Sequence, residues 1–531
     1  MPLLNYADYR PDVSDYEGQA TRNILNVIPR GDGYGPFPSL SAYTTPLPAA
    51  CRGAFYALKS DGTVVTFAGT SNKLYKLSNT DFTWSDVSLA GGTYSPLSAN
   101  AQWQFAQTGN FVFATQANAA LQIFDLSATT TFANALGSPP QAAYIGIVGR
   151  FLVLSGLLSN PYRIQWSGLN NFNASNSWTS GIQSSDFQDF PDGGIVRGVA
   201  GGEAGIIFQD QAIRRMSFVP GSPIVFQIDR ITQDKGLYAP YSIIRAGERI
   251  FFYAGQGFHK IEPGGVPEPI GREKVDRTFL ADLDKANLQL FVGAADPRST
   301  RVYWSYKSSS GAIGTTYDKL LGYDFMLDRF FPVAMTGEYL LGVSQTGVTL
   351  ESLDALAPTP LTITGAANNG SGAIRLTLSA ESNTNFSILN QNRIVVYGVV
   401  GTAEANGSWS CRIIDPIHID LVGSTFVNAY AGGGQIGGSL DAMTLSLDAY
   451  ATAVQPEIAQ FSSAHVLGFF RGQNLEATME SAEQGTDENR ITIRGFRAIT
   501  DAATFYGSVS SRDTAFATAV PRCTTQESVL H

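Results

Sequence analysis

Between residues 54 and 340 this chain writes one hairpin six times. A short apolar strand, a tight turn and a second alternating strand recur roughly every forty to fifty residues. The copies read DGTVVTFAGTSNKLYKLS (Asp61 to Ser78), GNFVFATQANAALQIFDLS (Gly109 to Ser127) and GRFLVLSGLLSNPYRIQWSG (Gly149 to Gly168). They continue as GEAGIIFQDQAIRRMSFV (Gly202 to Val219), GERIFFYAGQGFHKIEPGG (Gly247 to Gly265) and STRVYWSYKS leading into LLGYDFMLDRFFPV (Ser299 to Val333). The copies share a pattern, not residues. Strands alternate apolar and polar positions, as in FVFAT and RIFFY. The turns carry DG, GN, GR, GG or GE, where glycine supplies the positive φ of a tight hairpin. This predicts an irregular β-propeller of six or seven blades, each hairpin forming the two central strands of a blade. Such a fold is a scaffold, so function must be argued separately.

Composition agrees with an all-β chain. Hydrophobic residues make up 44% and charged residues 15%, with 54 Gly, 22 Tyr and 32 Phe among 531 residues. A helical bundle needs more Lys and Glu on its exposed faces. The best helical candidate is the short stretch from Lys274 to Leu290. A net charge of −10 excludes a protein that grips nucleic acid by its phosphates. Cys51, Cys411 and Cys523 are odd in number and far apart, so neither a disulfide framework nor a cysteine metal site is implied. His259, His418, His465 and His531 are isolated, outside any HExxH or HxH spacing. The N-terminus lacks a basic and an apolar signal region, and no apolar run approaches the ~20 residues of a membrane span. The expectation is a soluble chain made in a cytoplasm.

Five segments are expected. Residues 1–50 form an arm, whose segment IPRGDGYGPFPSL (Ile28 to Leu40) forces turns and extended backbone, and which lends a strand to close the ring. Residues 51–356 form the first part of the propeller. Residues 357–438 form an inserted small β-sandwich or barrel, bounded by Ser-Leu-Asp-Ala phrases at Ser352 and Ser439. Its strands read LTITG, AIRLTLSA, RIVVYGVVG, SWSCRIID, IHIDLVG and STFVNAYAGG. Residues 439–513 close the propeller, with Val466 to Ser481, Arg490 to Thr500 and Thr504 to Asp513 as a last blade. Residues 514–531 are an irregular tail.

Chemical motifs are sparse. Asp186, Asp189 and Asp192 could bind Ca²⁺ or serve a glycosidase, but their spacing misses the EF-hand loop and FPDGG is turn chemistry. Arg30-Gly31-Asp32 spells an adhesion tripeptide within a Pro- and Gly-rich run. Asn173, Asn369, Asn385 and Asn406 begin chance glycosylation sequons. Strand alternation separates Arg214 from Arg215. Glu273, Lys274, Asp276 and Arg277 read as a solvated or inter-subunit charge cluster. AGGGQIGG (Ala431 to Gly438) lacks the lysine of a phosphate-binding loop. No catalytic residue, cofactor site or metal site is assigned, and no enzyme is expected. Trp103, Trp166 and Trp304 fall in strand patterns, whereas Trp178, in NASNSWTSG, reads as exposed.

Several phrases carry a resemblance: NVIPRGDGYGPFPSL, RGAFYALKSDGTVVTFAGTSNKLYKL, WQFAQTGNFVFAT, IQWSGLNNF, SSDFQDFPDGGIVRGVAGGEAGIIFQDQAIRRM and PIGREKVDRTF. Over roughly residues 24 to 290 the chain resembles the tail nozzle proteins of short-tailed bacteriophages, also called tail tubular protein B or distal tail hub proteins. NGSWSCRIIDPIHIDLVGSTFVNAYAGGG (Asn406 to Gly434) is similar to a small β module that recurs in phage structural proteins. The resemblance implies a virion tail protein, synthesised in the host cytoplasm. It also implies a ring, usually a homohexamer, that meets a head-to-tail adaptor and holds fibres or a needle. Double-stranded DNA would pass through its lumen during ejection without sequence-specific binding. Irregular surfaces for neighbouring subunits would come from the arm and from the loops around Asp186 to Gly194 and Glu273 to Arg277. The alternative is a carbohydrate-binding or carbohydrate-degrading propeller, an adhesin or depolymerase that stacks sugars on tryptophans.

Overall fold

Apolar runs such as Phe151–Leu157 and Gly205–Gln209 are too apolar for a half-exposed sheet and demand cover on both faces. A ring of radially arranged blades supplies that cover. A computed structural model describes residues 6–13, 20–90, 92–222, 224–311, 314–345, 361–379, 393–437, 456–481, 499–500, 502, 504–511 and 520–528. It contains seven four-stranded antiparallel sheets arranged as propeller blades.

Blades 1 to 6 are simple meanders, spanning Ala54–Leu58 to Trp84–Asp86, Gln104–Thr108 to Ala133–Asn134 and Ala142–Val148 to Asp186–Asp189. The next three span Val196–Ala200 to Phe226–Thr232, Ile244–Ala246 to Pro267–Pro269 and Val292–Ala295 to Arg329–Gly337. Within each, the repeated hairpin supplies the second and third strands, as its alternation predicts.

Blade 7 is assembled from distant pieces. Tyr339–Ser344 pairs with Pro456–Phe461, which pairs with Leu467–Phe469, and the arm adds Ser41–Ala42 as the outermost strand. The arm therefore closes the ring. The expected composition of this blade is corrected: Thr504–Ser511 pairs instead with Val520–Ser528 in a separate ribbon. The tail is thus not irregular there. Thr478–Met479 pairs with Ile24–Leu25. The strand expected at Arg490 to Thr500 falls almost wholly outside the described residues, as do both Ser-Leu-Asp-Ala phrases.

Each blade interface has its own apolar core. Phe67, Trp103, Phe124 and Phe132 fill the wedge between blades 1 and 2, and Phe258, Phe279, Trp304 and Phe330 that between blades 5 and 6. Close approach explains one glycine: a Cβ on Gly69 would stand 2.3 Å from the Trp103 ring, whose indole nitrogen donates to the Thr70 carbonyl at 2.8 Å. The arm contributes Ile24, Val27 and Phe37 to the core between blades 6 and 7. The short helix falls in the expected stretch, at Asp276–Asp282.

Between the first two strands of blade 7 the chain forms a closed six-stranded barrel. Its order is Leu361–Asn368, Ile374–Leu378, His418–Val422, Gly407–Asp415, Arg393–Val400 and Gly432–Gly437, which pairs back onto the first. A single core of Ile363, Leu376, Val396, Ile419, Leu421 and Ile436 fills it. The sixth strand is the glycine run Gly432–Gly437, which overlaps the expected STFVNAYAGG only at its last two residues.

Candidate functional site at the propeller axis and ring seam

The first strands of neighbouring blades touch around the propeller axis, which is where such scaffolds most often place a ligand or a channel. Here tyrosines fill it. Tyr144, Tyr241 and Tyr339 reach the axis from blade 3, the turn Pro240–Ser242 and blade 7, leaving a cavity of about 170 Å³. That is room for a small cluster of waters, and too little for a strand of nucleic acid. Burial pushes the Tyr144 hydroxyl up to about 12 and raises Tyr241 and Tyr339 further, so all three stay neutral. The Gln102 backbone N–H donates to the Tyr241 hydroxyl at 2.9 Å, and its side-chain amide donates to the Gln289 carbonyl at 2.8 Å. The three rings narrow the axis to this small cavity.

A buried carboxylate joins the apolar core at the seam between first and last blades. Glu338 is 2% exposed. It accepts the Cys51 backbone N–H at 2.9 Å, from the segment just before the first strand of blade 1, and faces His465 Nδ1 at 2.6 Å, from the turn of blade 7. Burial raises its pKa, and the histidine opposes that rise.

The sequence candidates resolve into structural roles. Asp186, Asp189 and Asp192 do not converge. Asp186 accepts from Ser180, Asp189 forms a two-point pair with Arg163, and Asp192 accepts from Arg214 at 2.6 Å and Arg230 at 2.9 Å. These arginines hold Asp189 and Asp192 below the usual carboxylate range. No cluster of three metal-ligating side chains occurs among the described residues. Arg214 is buried on Asp192 and Gln209, whereas Arg215 donates to the Gly265 carbonyl, so the two diverge as alternation requires.

The 273–277 cluster serves largely as a dock for the arm of its own chain. Asp12 accepts the backbone N–H groups of Arg277 at 2.7 Å and Thr278 at 2.9 Å, capping the helix from the arm. Lys274 pairs with Asp328 at 2.6 Å. Asp276 is lifted to about 6 by burial. Glu273 lies exposed beside Arg272.

Trp178 corrects an expectation. It is 5% exposed and packs with Phe113 and Leu152 between blades 2 and 3. Its polar loop folds back on blade 2, where Asn173 Oδ1 accepts the Leu136 N–H at 2.8 Å. Trp103, Trp166 and Trp304 are buried too, so none of the four offers a face for sugar. Arg30-Gly31-Asp32 forms the exposed tip of the hairpin Val27–Pro29 and Tyr34–Pro36. Cys51 and Cys411 are buried free thiols. His259 is buried against Phe252, and His418 pairs with Asp415. Asn385, His531 and the Cys523 side chain lie outside the described residues. Sequence reasoning missed Glu338 and the axial tyrosines, which stand in no motif.

No family model matches the sequence, and no curated protein matches it. The chain is a seven-bladed propeller. Solved structures similar to it include the extracellular domain of a hybrid two-component system from B. thetaiotaomicron. That likeness has 10% identity and a TM-score of 0.37, and covers 70% of this chain but only 44% of that one. The Neurospora crassa Pan2 WD40 domain is 7% identical, with a TM-score of 0.35, covering 64% of this chain and 91% of that one. The RRP9 WD40 repeats are 8% identical, with a TM-score of 0.35, covering 64% and 92%. No helix among the described residues is long and apolar enough to cross a membrane.

Proposed function

We propose that this chain is a structural virion protein, the ring-forming tail nozzle of a short-tailed phage. The observation that carries the reading is the run of phrases between residues 24 and 290 quoted above. Two physical features support it. The axial cavity of about 170 Å³ is too small for duplex DNA, so a conduit for the duplex would lie between subunits. The net charge of −10 is compatible with a conduit whose walls repel phosphate and let the duplex slide. A homohexamer is the expected assembly, with an adaptor above and fibres or a needle below. Free subunits stay monomeric until the adaptor templates them, because small polar interfaces do not close a ring unaided.

The test is sedimentation of the purified chain alone and with phage tails, followed by electron microscopy. A monomer that becomes a ring on the tail supports the reading. Isolated trimeric spikes, or cleavage of a polysaccharide by the free chain, overturn it in favour of an adhesin or depolymerase.

A further inference from the structure

The barrel carries a groove that its own folding does not require. Leu361–Asn368, Gly432–Gly437 and Arg393–Val400 lie side by side, with Thr362 opposite Gln435 and Gln435 opposite Tyr397. Ile363, Ile436 and Val396 point into the core, so the rung Thr362, Gln435, Tyr397 stands on the outer face. Beside it the alternation breaks. Gly398, Gly433 and Gly434 have φ of +73°, +69° and +100°, conformations that side chains disfavour. A Cβ at Gly434 would also stand 2.5 Å from Val399. The Tyr430 hydroxyl, 2.8 Å from the Ile363 carbonyl oxygen and 2.9 Å from that of Gly433, braces this bare backbone. The result is a shallow, open depression lined by Thr362, Tyr397, Gln435 and the three glycines.

Its chemistry selects a ligand. Among the described residues no charged side chain lines the groove, so from these residues an anion or cation would lose water and gain no counter-charge. A purely aliphatic ligand would leave the Gln435 amide unpaired. The Tyr397 ring, 43% exposed, offers a flat apolar face. Gln435 offers a donor and an acceptor, and Thr362 a hydroxyl. We propose that this groove binds one neutral pyranose unit of a glycan: the ring's C–H face stacks on Tyr397 and its hydroxyls bond Gln435 and Thr362. The assignment stands independently of the ring reading.

The experiment is saturation-transfer NMR on the full chain, with N-acetylglucosamine, methyl glucoside and methyl mannoside as probes and glucuronic acid as the charged comparator. At least one neutral probe is expected to receive saturation at its ring C–H protons. Tyr397→Ala should weaken that probe about tenfold, the loss of one aromatic contact, and Tyr397→Phe should retain most binding. Tyr506→Ala, on the separate ribbon, should change nothing. Gln435→Leu keeps the side-chain bulk and removes the amide, so it should also weaken binding, and it covers the case in which Tyr397→Ala disturbs the barrel. The proposal is overturned if no neutral probe binds, if both groove variants bind like wild type, or if glucuronic acid binds best.

Discussion

Propeller and barrel are both β, yet they close in opposite ways. The barrel closes within one short segment: Leu361–Asn368 pairs with Gly432–Gly437, and one apolar core serves all six strands. The propeller closes only when Ser41–Ala42 reaches Leu467–Phe469 across most of the chain, and its apolar material is divided among the blade interfaces. Local closure makes a unit that can stand alone. Long-range closure makes a ring whose stability rests on its seam, because loop-closure entropy must be met before the last contacts form.

The largest expected effect follows from that seam. Deleting residues 1–42 removes the closing strand and takes Ile24, Val27 and Phe37 from the core between blades 6 and 7. Their burial is worth on the order of 5 kcal/mol or more. Hydrogen exchange should show lost protection in blades 6, 7 and 1, with the barrel amides still protected; loss of protection in both regions would mean that they unfold as one unit.

Next in size is the converse. Ile419→Ala in the barrel core should cost about 2–5 kcal/mol. Calorimetry should show the barrel transition moving down while the propeller transition stays.

A smaller loss is expected at Glu338. Glu338→Ala leaves the buried Cys51 N–H without its acceptor, a penalty of about 1–3 kcal/mol, confined to the propeller transition. An equal shift of the barrel transition would contradict the separation. The smallest effect belongs to joining Leu356 to Ser439 through a short linker, which should leave a soluble propeller with its melting temperature nearly unchanged. Failure of that variant to fold would make the segment part of the propeller core.

The same contrast explains what the sequence revealed. The hairpins of blades 1 to 6 and the barrel segment were legible because strand alternation and glycine turns are local signals. Blade 7 was only half legible. The arm was expected to lend a strand, but Tyr339–Ser344, Pro456–Phe461 and Leu467–Phe469 meet through pairings that no local pattern encodes. Val520–Ser528 (VPRCTTQES) was missed because it lacks apolar alternation. Trp178 was misplaced because its polar loop hides a packed anchor. Glu338 and the axial tyrosines gave no signal, since a carboxylate on a seam and a ring on an axis are defined by topology and not by neighbours in the chain.

The central claim is tested most directly by a three-dimensional reconstruction of a phage tail containing this chain. The account predicts a closed ring of propellers at the distal end, each with its axis narrowed by Tyr144, Tyr241 and Tyr339, and duplex density running between subunits along an acidic lumen. DNA threading a propeller axis, or this chain standing as separate spikes away from the channel, would contradict it.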